Sequence, residues 1–382
     1  MGGRPGTSAQ PRWRQRSGGS AVNRAAIRIG FGNHQKPTAL LRRPVVSVVI
    51  PCYNYARYLT EAVASVVSQE GVDLDVIIVD DASTDASPRV ARELAAGDER
   101  ISVVLHSQNL GHIASYNDGL SRVRGEYVVL LSADDLLAPG SLARSTALLE
   151  AHPEVGLAYG YAQEFHDKVP PTGEMRKSWS LWTGEEWTRI MCRRGSNIIV
   201  NPEAVLRRSV MDRLGGYRPD MPHSADMELW LRAAEIGSVG RVNGIVQAFY
   251  RVHGLNMHLT DFGGGLADIQ ARRHVFEDLA GMPGSALNRH PGLLRMARHA
   301  LAVEAVRAAN QALDKGGMNA AAAEELAKFA VETDAGITGS APWRAYRIRG
   351  KGRMPAYRRR LSGRVDNWRW SLRWRRWRRF GV

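Results

Sequence analysis

The chain has 382 residues, of which 44% are hydrophobic and 24% charged, enough to bury one sizeable core beside a smaller second domain. Its two cysteines, Cys52 and Cys192, exclude a disulfide framework and suit a reducing compartment. No apolar run approaches the ~18–20 residues that span a bilayer, and the N-terminus lacks the apolar segment of a signal peptide. These features predict a cytoplasmic globular protein with tails.

The formal net charge of +14 is concentrated at the two ends of the chain. Residues 1–43 carry nine Lys/Arg and no acid, and residues 342–382 carry fifteen Lys/Arg and one acid, which leaves −9 on the body between them. Gly, Ser, Arg and Pro dominate residues 1–43 without any periodicity. We therefore predict a disordered basic arm there.

Short apolar runs alternate with segments of helical periodicity after residue 44. The runs 45–50, 76–79, 101–105 and 127–131 have the length and β-branched content of buried strands. Helical spacing follows the first run up to about Gln69 and the third run up to about Val123. Ser87-Pro88 has the form of a cap followed by a proline at the first helical position, which predicts another helix start. Because such alternation implies crossover connections, the predicted fold class is α/β with a mostly parallel sheet.

Turn, amide or carboxylate chemistry follows each of these four strands. The segments concerned are 51–54, 80–81, 109–111 and 134–135. In mostly parallel sheets ligands bind beyond the carboxyl ends of the strands. We therefore expect all four segments to face one crevice.

Asp134 and Asp135 come directly after the fourth strand. Two fixed charges that leave a core together are most easily held close by a shared divalent cation, which predicts a metal site. The other interpretation is that the pair only ends the strand and caps the helix that begins near Ser141.

A crevice lined by carboxylates repels a diphosphate unless Mg²⁺ or Mn²⁺ lies between them. The pattern therefore points to a nucleoside-diphosphate ligand. The chain has no G-x-G-x-x-G after its first strand and no G-x-x-x-x-G-K-[ST], which argues against a dinucleotide dehydrogenase and a P-loop nucleotidase.

Five motifs, taken in their order and spacing, resemble glycosyltransferase family 2, which has the GT-A fold. They are VVIPCYN, VDDASTD, NLG followed by NDG, GEYVVLLSADD and ADMELWLR, and the resemblance covers roughly residues 45–255. It implies a GT-A domain over residues 44–262. It also implies an inverting transferase that uses a nucleoside-diphosphate sugar, a divalent cation (Mn²⁺ or Mg²⁺) and a hydroxyl acceptor, such as a cell-surface polysaccharide or a lipid-linked glycan.

The resemblance also implies roles for the crevice residues. Pro51, Tyr53 and Asn54 would approach the base and ribose, and either Asp80 or Asp81 would accept a hydrogen bond from the base. The rest of the implied nucleotide-sugar site comprises Asn109, Gly111, Asn117, Ser132 and Asp134. The implied metal ligands are Asp134, Asp135 and His253, the last of which follows a strand-like run.

Ser132 departs from the family pattern, in which many members carry Asp at this position. A hydroxyl can bind a ribose or a metal-bound water, but it is a poor substitute for a carboxylate ligand. The alternative function is therefore a catalytically silent relative that binds nucleotide sugars or nucleic acid and keeps the fold.

In the family the base that activates the acceptor is the Asp of a Glu-Asp pair, which here reads Ala225-Asp226. The resemblance thus implies that Asp226 is catalytic. Glu228 is the second candidate, although it points elsewhere on a helix. The competing interpretation is that both are first-turn acids favoured by the helix dipole.

Two regions follow the matched motifs. Residues 166–184 are expected to form a long loop in which Trp179 and Trp182 either stack on a sugar or anchor the loop. Residues 263–340 show helical periodicity and predict a C-terminal helical subdomain without catalytic groups.

Residues 341–382 form a basic tail in which tryptophans alternate with arginine clusters. Arg and Trp together suit the surface of an anionic membrane, where each cation contributes about 1 kcal/mol. Nucleic acid is the rival partner, and a packed or disordered tail is the third interpretation. We rank the membrane first, which predicts a protein that is cytoplasmic or held peripherally on the inner face of the plasma membrane.

Overall fold

A computed structural model of the chain describes residues 33–173, 177–254, 256, 265–315 and 319–351, together with Val365, Trp368, Ser371 and Leu372. A nine-stranded sheet runs through its centre in the order β1-β9-β11-β7-β10-β5-β2-β3-β4. Its strands are β1 (Asn33–Gln35), β2 (Val45–Cys52), β3 (Asp73–Asp80), β4 (Ile101–Leu105), β5 (Tyr127–Leu130), β7 (Val155–Tyr159), β9 (Ser178–Trp182), β10 (Val205–Arg207) and β11 (Ser238–Asn243).

Helices cover the sheet, as the alternating pattern predicts. In the part of the chain up to residue 254 they are α1 (Ala56–Val67), α2 (Ser87–Gly97), α3 (His112–Leu120), α4 (Ser141–Ala151), α5 (Gly184–Arg194), α6 (Arg208–Leu214) and α7 (Ala225–Ile236). Ser87 is not the cap of α2 but its first residue. The N-cap is Ala86, and the Ser87 hydroxyl accepts a hydrogen bond from the backbone N–H of Tyr55.

The sheet is mostly parallel. Of its nine strands, β9 and β10 run antiparallel to the other seven. β4, β3, β2 and β5 are neighbours and run in one direction, so their carboxyl ends meet at the same edge. Val48, Val49, Ile77 and Val129 are fully buried in these strands. This core fixes the positions from which the strand-end segments emerge.

A small second sheet lies beside that edge. It consists of β6 (Leu136–Leu137), β12 (Ala248–Arg251) and β8 (Ala162–Phe165), in the order β6-β12-β8. β12 pairs with β6, which directly follows Asp134 and Asp135. The segment after β12 is therefore held next to the end of β5.

Helices make up the C-terminal part, as its periodicity predicts. They are α8 (Gly265–Gly281), α9 (Ala286–Arg289), α10 (Pro291–Lys315), α11 (Asn319–Thr333) and α12 (Ala341–Gly350). Arg272 on α8 donates to the carbonyl of Gly195 at 2.6 Å, just after α5, and pairs with Glu304 on α10. None of the helices within the described ranges is both long and apolar enough to cross a bilayer. A boundary between residues 262 and 263 stays a prediction.

The long loop expected over residues 166–184 is shorter in the structure. Ser178–Trp182 form β9, which pairs with β11 and β1 inside the central sheet. Trp179 and Trp182 are buried in the core, so neither is available to stack on a sugar. Because β9 pairs only with strands remote in sequence, its local pattern carries too weak a signal for a strand prediction.

Both predicted tails overlap with structured segments. The expected disordered arm contains β1, whose partner β9 lies about 140 residues further along the chain. The expected basic tail begins with α12, in which Arg349 is 4% exposed and bonds to Asp314 and Asn310. Burial of an ion-paired arginine shows that α12 is packed. Residues 1–32 and nearly all of residues 352–382 lie outside the described residues.

Candidate active site

A cavity of about 850 Å³ opens beyond the carboxyl ends of β2, β3 and β5. Most of the sequence-predicted site residues line it: Pro51, Tyr53, Asn54, Asp81, Asn109, Gly111, Ser132, Asp134, Asp135 and Asp226. Four do not line it, and these are Asp80, Asn117, Glu228 and His253. The expected crevice therefore exists, and the first turn of α7 also lines it.

Asp134 lies in the turn that follows β5 and is buried, with 5% of the residue exposed. Its Oδ2 atom is 2.9 Å from Nε2 of His253 and 3.4 Å from Nδ2 of Asn256, both of which follow β12. The His253 ring packs against the rings of Tyr58 and Tyr55, with centroid distances of 5.1 Å and 5.9 Å. The structure thus brings two predicted metal ligands 119 residues apart into direct contact.

Asp135 is also buried, but one of its oxygens is engaged by the protein. Its Oδ1 accepts a hydrogen bond from the backbone N–H of Arg251 at 2.9 Å. Burial, reinforced by the negative charge of Asp134, raises the pKa of Asp135 well above its ordinary value. The Arg251 guanidinium donates to the Asp134 carbonyl at 2.8 Å, so β12 holds both residues of the turn in place.

Asp134 and His253 provide a donor pair for a divalent cation. Within the described ranges, no three His, Cys, Asp or Glu side chains come together as a metal-binding group. Mg²⁺ and Mn²⁺ in phosphate-transfer sites usually take one or two protein ligands and complete their coordination with phosphate oxygens and water. The Asp134 carboxylate at the cavity fits that pattern, with the His253 imidazole directly behind it as a second donor.

Ser132 lines the cavity beside Tyr116, with its hydroxyl 3.5 Å from the Tyr116 hydroxyl. Asn201 donates to the same Tyr116 oxygen at 2.9 Å. Many family members carry Asp at position 132. Here Ser132 forms a neutral cluster with the Tyr116 hydroxyl and the Asn201 amide. Such a cluster can hydrogen-bond a sugar or ribose without adding charge to the site.

The two aspartates after β3 are engaged by the protein itself. Asp81 accepts hydrogen bonds from the backbone N–H groups of Leu110 and Gly111 at 2.8 Å each and contacts Nδ1 of His106 at 2.8 Å. Asp80 is buried behind it, accepts from the Ser83 N–H, and does not reach the cavity. Asp81 therefore fixes the loop that carries Asn109 and Gly111, because its carboxylate accepts hydrogen bonds from two successive backbone N–H groups of that loop.

Asn54 ties the loop after β2 to the loop after β3. It adopts a left-handed backbone conformation with φ 59°, and its Oδ1 accepts from the Thr84 backbone N–H at 2.8 Å. Tyr53 next to it is 45% exposed at the cavity. The loop therefore presents an aromatic face that is not covered by protein.

Asp226 lies in the first turn of α7, half-buried in the cavity wall. Its Oδ1 accepts a hydrogen bond of 2.5 Å from the Tyr217 hydroxyl. Burial raises the pKa of Asp226 above its ordinary value, against the opposing effects of the Tyr217 hydroxyl and of His112. A half-buried carboxylate with a raised pKa that faces a cavity has the properties of a general base.

Glu228 is fully buried and lies away from the cavity. Both of its oxygens bond to the Arg232 guanidinium, at 2.5 and 2.8 Å. It lies two residues after Asp226, and on a helix this spacing turns the side chain to a different face. Glu228 therefore forms an ion pair with Arg232, whose guanidinium also donates to the Leu214 carbonyl at the end of α6 and to the Gly216 carbonyl in the following loop.

Asn117 does not line the cavity, contrary to the role implied for it by the resemblance. Its side-chain amide bonds to both backbone groups of Tyr217, accepting from the N–H at 2.8 Å and donating to the carbonyl at 2.9 Å. Tyr116, Tyr217 and Asn201 are the main site residues that sequence reasoning missed. The one available signal was the Gly215-Gly216-Tyr217 turn before α7.

The chain is similar to known glycosyltransferases. The family model "Glycosyl transferase family 2" matches residues 47–215. EpsE of Bacillus subtilis, which is named as a glycosyltransferase, is 31% identical over 222 residues, covering 55% of this chain and 73% of EpsE. Chondroitin synthase of Escherichia coli is 27% identical over 62% of this chain and 32% of its own length. An uncharacterized glycosyltransferase of Haemophilus influenzae is 26% identical over 55% of this chain and 66% of its own.

Solved structures share the fold. A mannosyltransferase of Pyrobaculum calidifontis, solved with GDP-Man and Mn²⁺, superposes with a TM-score of 0.53 at 21% identity over 83% of this chain and 86% of its own. Residues 1–349 of TarS from S. aureus, solved with UDP-GlcNAc, give 0.57 at 14% identity over 80% and 92%. These likenesses establish the GT-A fold, and together with the family model and EpsE they show that the chain belongs to glycosyltransferase family 2.

Proposed function

We propose that the protein is an inverting glycosyltransferase that moves a sugar from a nucleoside-diphosphate sugar to a hydroxyl group of an acceptor. The observation that carries this proposal is one cavity that is lined by Tyr53, Ser132 and Asp134 and also by the half-buried carboxylate of Asp226. Transfer needs a place for a nucleoside diphosphate and a base for the acceptor within one enclosure. This cavity offers both.

Asp226 is proposed as the base. The acceptor oxygen forms a bond to the anomeric carbon, the bond from that carbon to the diphosphate oxygen breaks, and Asp226 takes the proton of the acceptor hydroxyl. Attack from the face opposite the leaving group inverts the configuration at that carbon. The raised pKa of Asp226 makes its carboxylate a stronger base than an exposed aspartate.

Asp134 and His253 are proposed to hold a divalent cation, Mn²⁺ or Mg²⁺. When bound, such an ion would neutralise charge on the leaving diphosphate. The chain's own residues prepare that position, since Arg251 fixes the Asp134 carbonyl and the Asp135 carboxylate, and Tyr58 supports the His253 ring. The neutral Ser132 leaves fewer carboxylates there than in many family members, so we propose weak cation binding.

The acceptor is proposed to be a glycan, either a growing cell-surface polysaccharide or a lipid-linked sugar. The chondroitin synthase similarity supports this class, because that relative is named for a polysaccharide product. The cavity volume of about 850 Å³ is near the upper end of the usual range for ligand sites and leaves room for more than one ligand.

A thermal-shift screen of UDP-, GDP- and dTDP-sugars with Mn²⁺ tests the proposal. At a concentration of 100 Kd the correct donor should stabilise the fold by about 2.7 kcal/mol, and the shift should need the cation. Incubation of that donor with the protein should then release the nucleoside diphosphate. Stabilisation without any release or transfer would favour the silent nucleotide-sugar-binding alternative, and no stabilisation by any donor would contradict the proposal.

The basic C-terminal segment is proposed to hold the enzyme at an anionic membrane surface. Residues 352–382 carry eleven arginines and one acid beside four tryptophans, while residues 44–341 carry a net charge of −9. An anionic leaflet repels the acidic body and attracts the segment, by about 1 kcal/mol per cation. The attraction would bring the cavity close to a lipid-linked acceptor.

Truncation after Lys351 should therefore release the protein from anionic vesicles and raise KM for a lipid acceptor, while donor hydrolysis stays unchanged. The cut follows α12, because Arg349 packs against Asp314 and its loss would disturb the fold. Sedimentation with vesicles at increasing salt measures the effect, since salt screens exposed charges. A truncated protein that still sediments, or a full-length protein that prefers nucleic acid to vesicles, would contradict this role.

A further inference from the structure

We propose that Tyr217 is a positioning residue for sugar transfer, because its hydroxyl holds the Asp226 carboxylate toward the cavity while the Asn117 side chain fixes Tyr217 itself. The inference rests on the proposed function, in which Asp226 takes the acceptor proton. It assigns Asn117 to this support and not to the nucleotide.

The contact between Tyr217 and Asp226 is made inside the protein. Tyr217 is 3% exposed, its hydroxyl donates to Asp226 Oδ1 at 2.5 Å, and its ring packs against Tyr116 at 5.2 Å. A carboxylate can rotate about its terminal bond, and one directional hydrogen bond from a packed ring limits that rotation. The second oxygen, Oδ2, is thereby left to meet an acceptor.

Asn117 holds the backbone of Tyr217 by two hydrogen bonds from a single amide plane, at 2.8 and 2.9 Å. Asn117 belongs to α3, and its partner belongs to the loop before α7. The two bonds engage the peptide groups on either side of the Tyr217 Cα, so they fix the orientation of this residue's backbone as well as its distance from α3. The helix that contributes His112 to the cavity thus also sets the position of Tyr217.

Gly216 allows this contact to be close. Its φ is +86°, a left-handed conformation that a side chain disfavours, and a Cβ at this position would lie 2.5 Å from Oδ1 of Asn117. A larger residue would therefore displace the amide that holds Tyr217. Gly216 thus leaves room for the Asn117 amide, which in turn bonds to the backbone of Tyr217.

The hydroxyl also influences the proton affinity of Asp226. Burial raises the pKa of Asp226, whereas the Tyr217 hydrogen bond and His112 lower it. The ionisable groups that face Asp226 include Tyr217, His112 and Tyr116 from α3, and Tyr250 from β12. Removing the hydroxyl takes away a donor to the charged form, so the pKa should rise further.

The test is the pH dependence of transfer at saturating donor in Tyr217→Phe. Because a base is lost as pH falls through its pKa, the acid limb of kcat should move to higher pH by about one unit. At the pH optimum kcat should fall about tenfold, and Kd for the donor should stay unchanged. Tyr159→Phe removes a buried hydroxyl outside the cavity and should leave the acid limb in place.

Asn117→Ala separates the support role from nucleotide binding. We expect kcat to fall and Kd for the donor to remain at the wild-type value. If Asn117 instead bound the nucleotide, its replacement would raise Kd for the donor and leave kcat unchanged. Asp226→Asn is measured alongside. If Asp226→Asn retains transfer, both the base role and this inference are overturned. If Asp226→Asn loses transfer while Tyr217→Phe keeps the wild-type rate and acid limb, only the positioning role is overturned.

Discussion

Replacing Asp226 with Asn should lower the rate of sugar transfer by two to four orders of magnitude, the usual cost of losing a general base, while donor affinity stays near wild type. Asn keeps the shape of the side chain and can still accept the Tyr217 hydrogen bond through its carbonyl oxygen. It cannot take a proton from the acceptor. The predicted loss therefore concerns kcat and leaves the binding step intact.

Measurement of kcat with the acceptor, together with donor Kd by calorimetry, checks this separation. Glu228→Gln is the informative companion, because Glu228 is fully buried and paired with Arg232. Breaking a buried pair typically costs about 3–5 kcal/mol, so a lower melting temperature is expected. Folded Glu228→Gln protein should retain transfer. Loss of transfer in folded Glu228→Gln, with none in Asp226→Asn, would move the base role to Glu228.

Much of the fold can be predicted from the sequence because its core strands are locally distinct. The apolar runs at 45–50, 76–79, 101–105 and 127–131 correspond to β2, β3, β4 and β5, and their parallel pairing follows from the helices between them. Their carboxyl ends therefore had to meet. The cavity appears at that edge, lined by ten of the fourteen residues proposed from the motifs.

The strands that were not predicted depend on partners remote in sequence. β10 has three residues and lies antiparallel between β5 and β7, where both neighbours supply its hydrogen bonds. The sequence pattern predicts a loop at β9, because its alternation of Ser and Trp resembles an aromatic loop as much as a strand. Tertiary context decides such segments, and a local pattern does not contain it.

The site shows the same division. Asp134 and Asp226 can be recognised as site candidates from the sequence. Asp134 follows the clear strand pattern of β5, and Asp226 lies at the start of the clear helix pattern of α7. The bonds between Asn117 and Tyr217, 100 residues apart, leave no mark in a single sequence, since Asn and Tyr have many other uses in proteins. Likewise, Asp81 accepts hydrogen bonds from the backbone of Leu110 and Gly111, and the path of that loop cannot be derived from the sequence.

The second large effect is expected at Asp134. Asp134→Asn should lower the Mn²⁺-dependent affinity for a nucleoside diphosphate by about a hundredfold or more, since a neutral amide is a far weaker ligand for a hard cation than a carboxylate. The fold should persist, because the side chain contacts mainly His253 and Asn256, and the Arg251 guanidinium bonds to the unchanged backbone carbonyl.

Calorimetric titration of a nucleoside diphosphate with Mn²⁺ and with a chelator measures the cation-dependent part of the affinity. Asp212→Asn is the matched control, because it makes the same chemical change at an exposed residue of α6 that is outside the cavity lining. It should bind like the wild type. His253→Ala should weaken the same cation-dependent part, because its Nε2 shares the position with Asp134. Unchanged Mn²⁺-dependent affinity in Asp134→Asn would show that the cation lies elsewhere, and the diphosphate would then need other partners than those around Asp134.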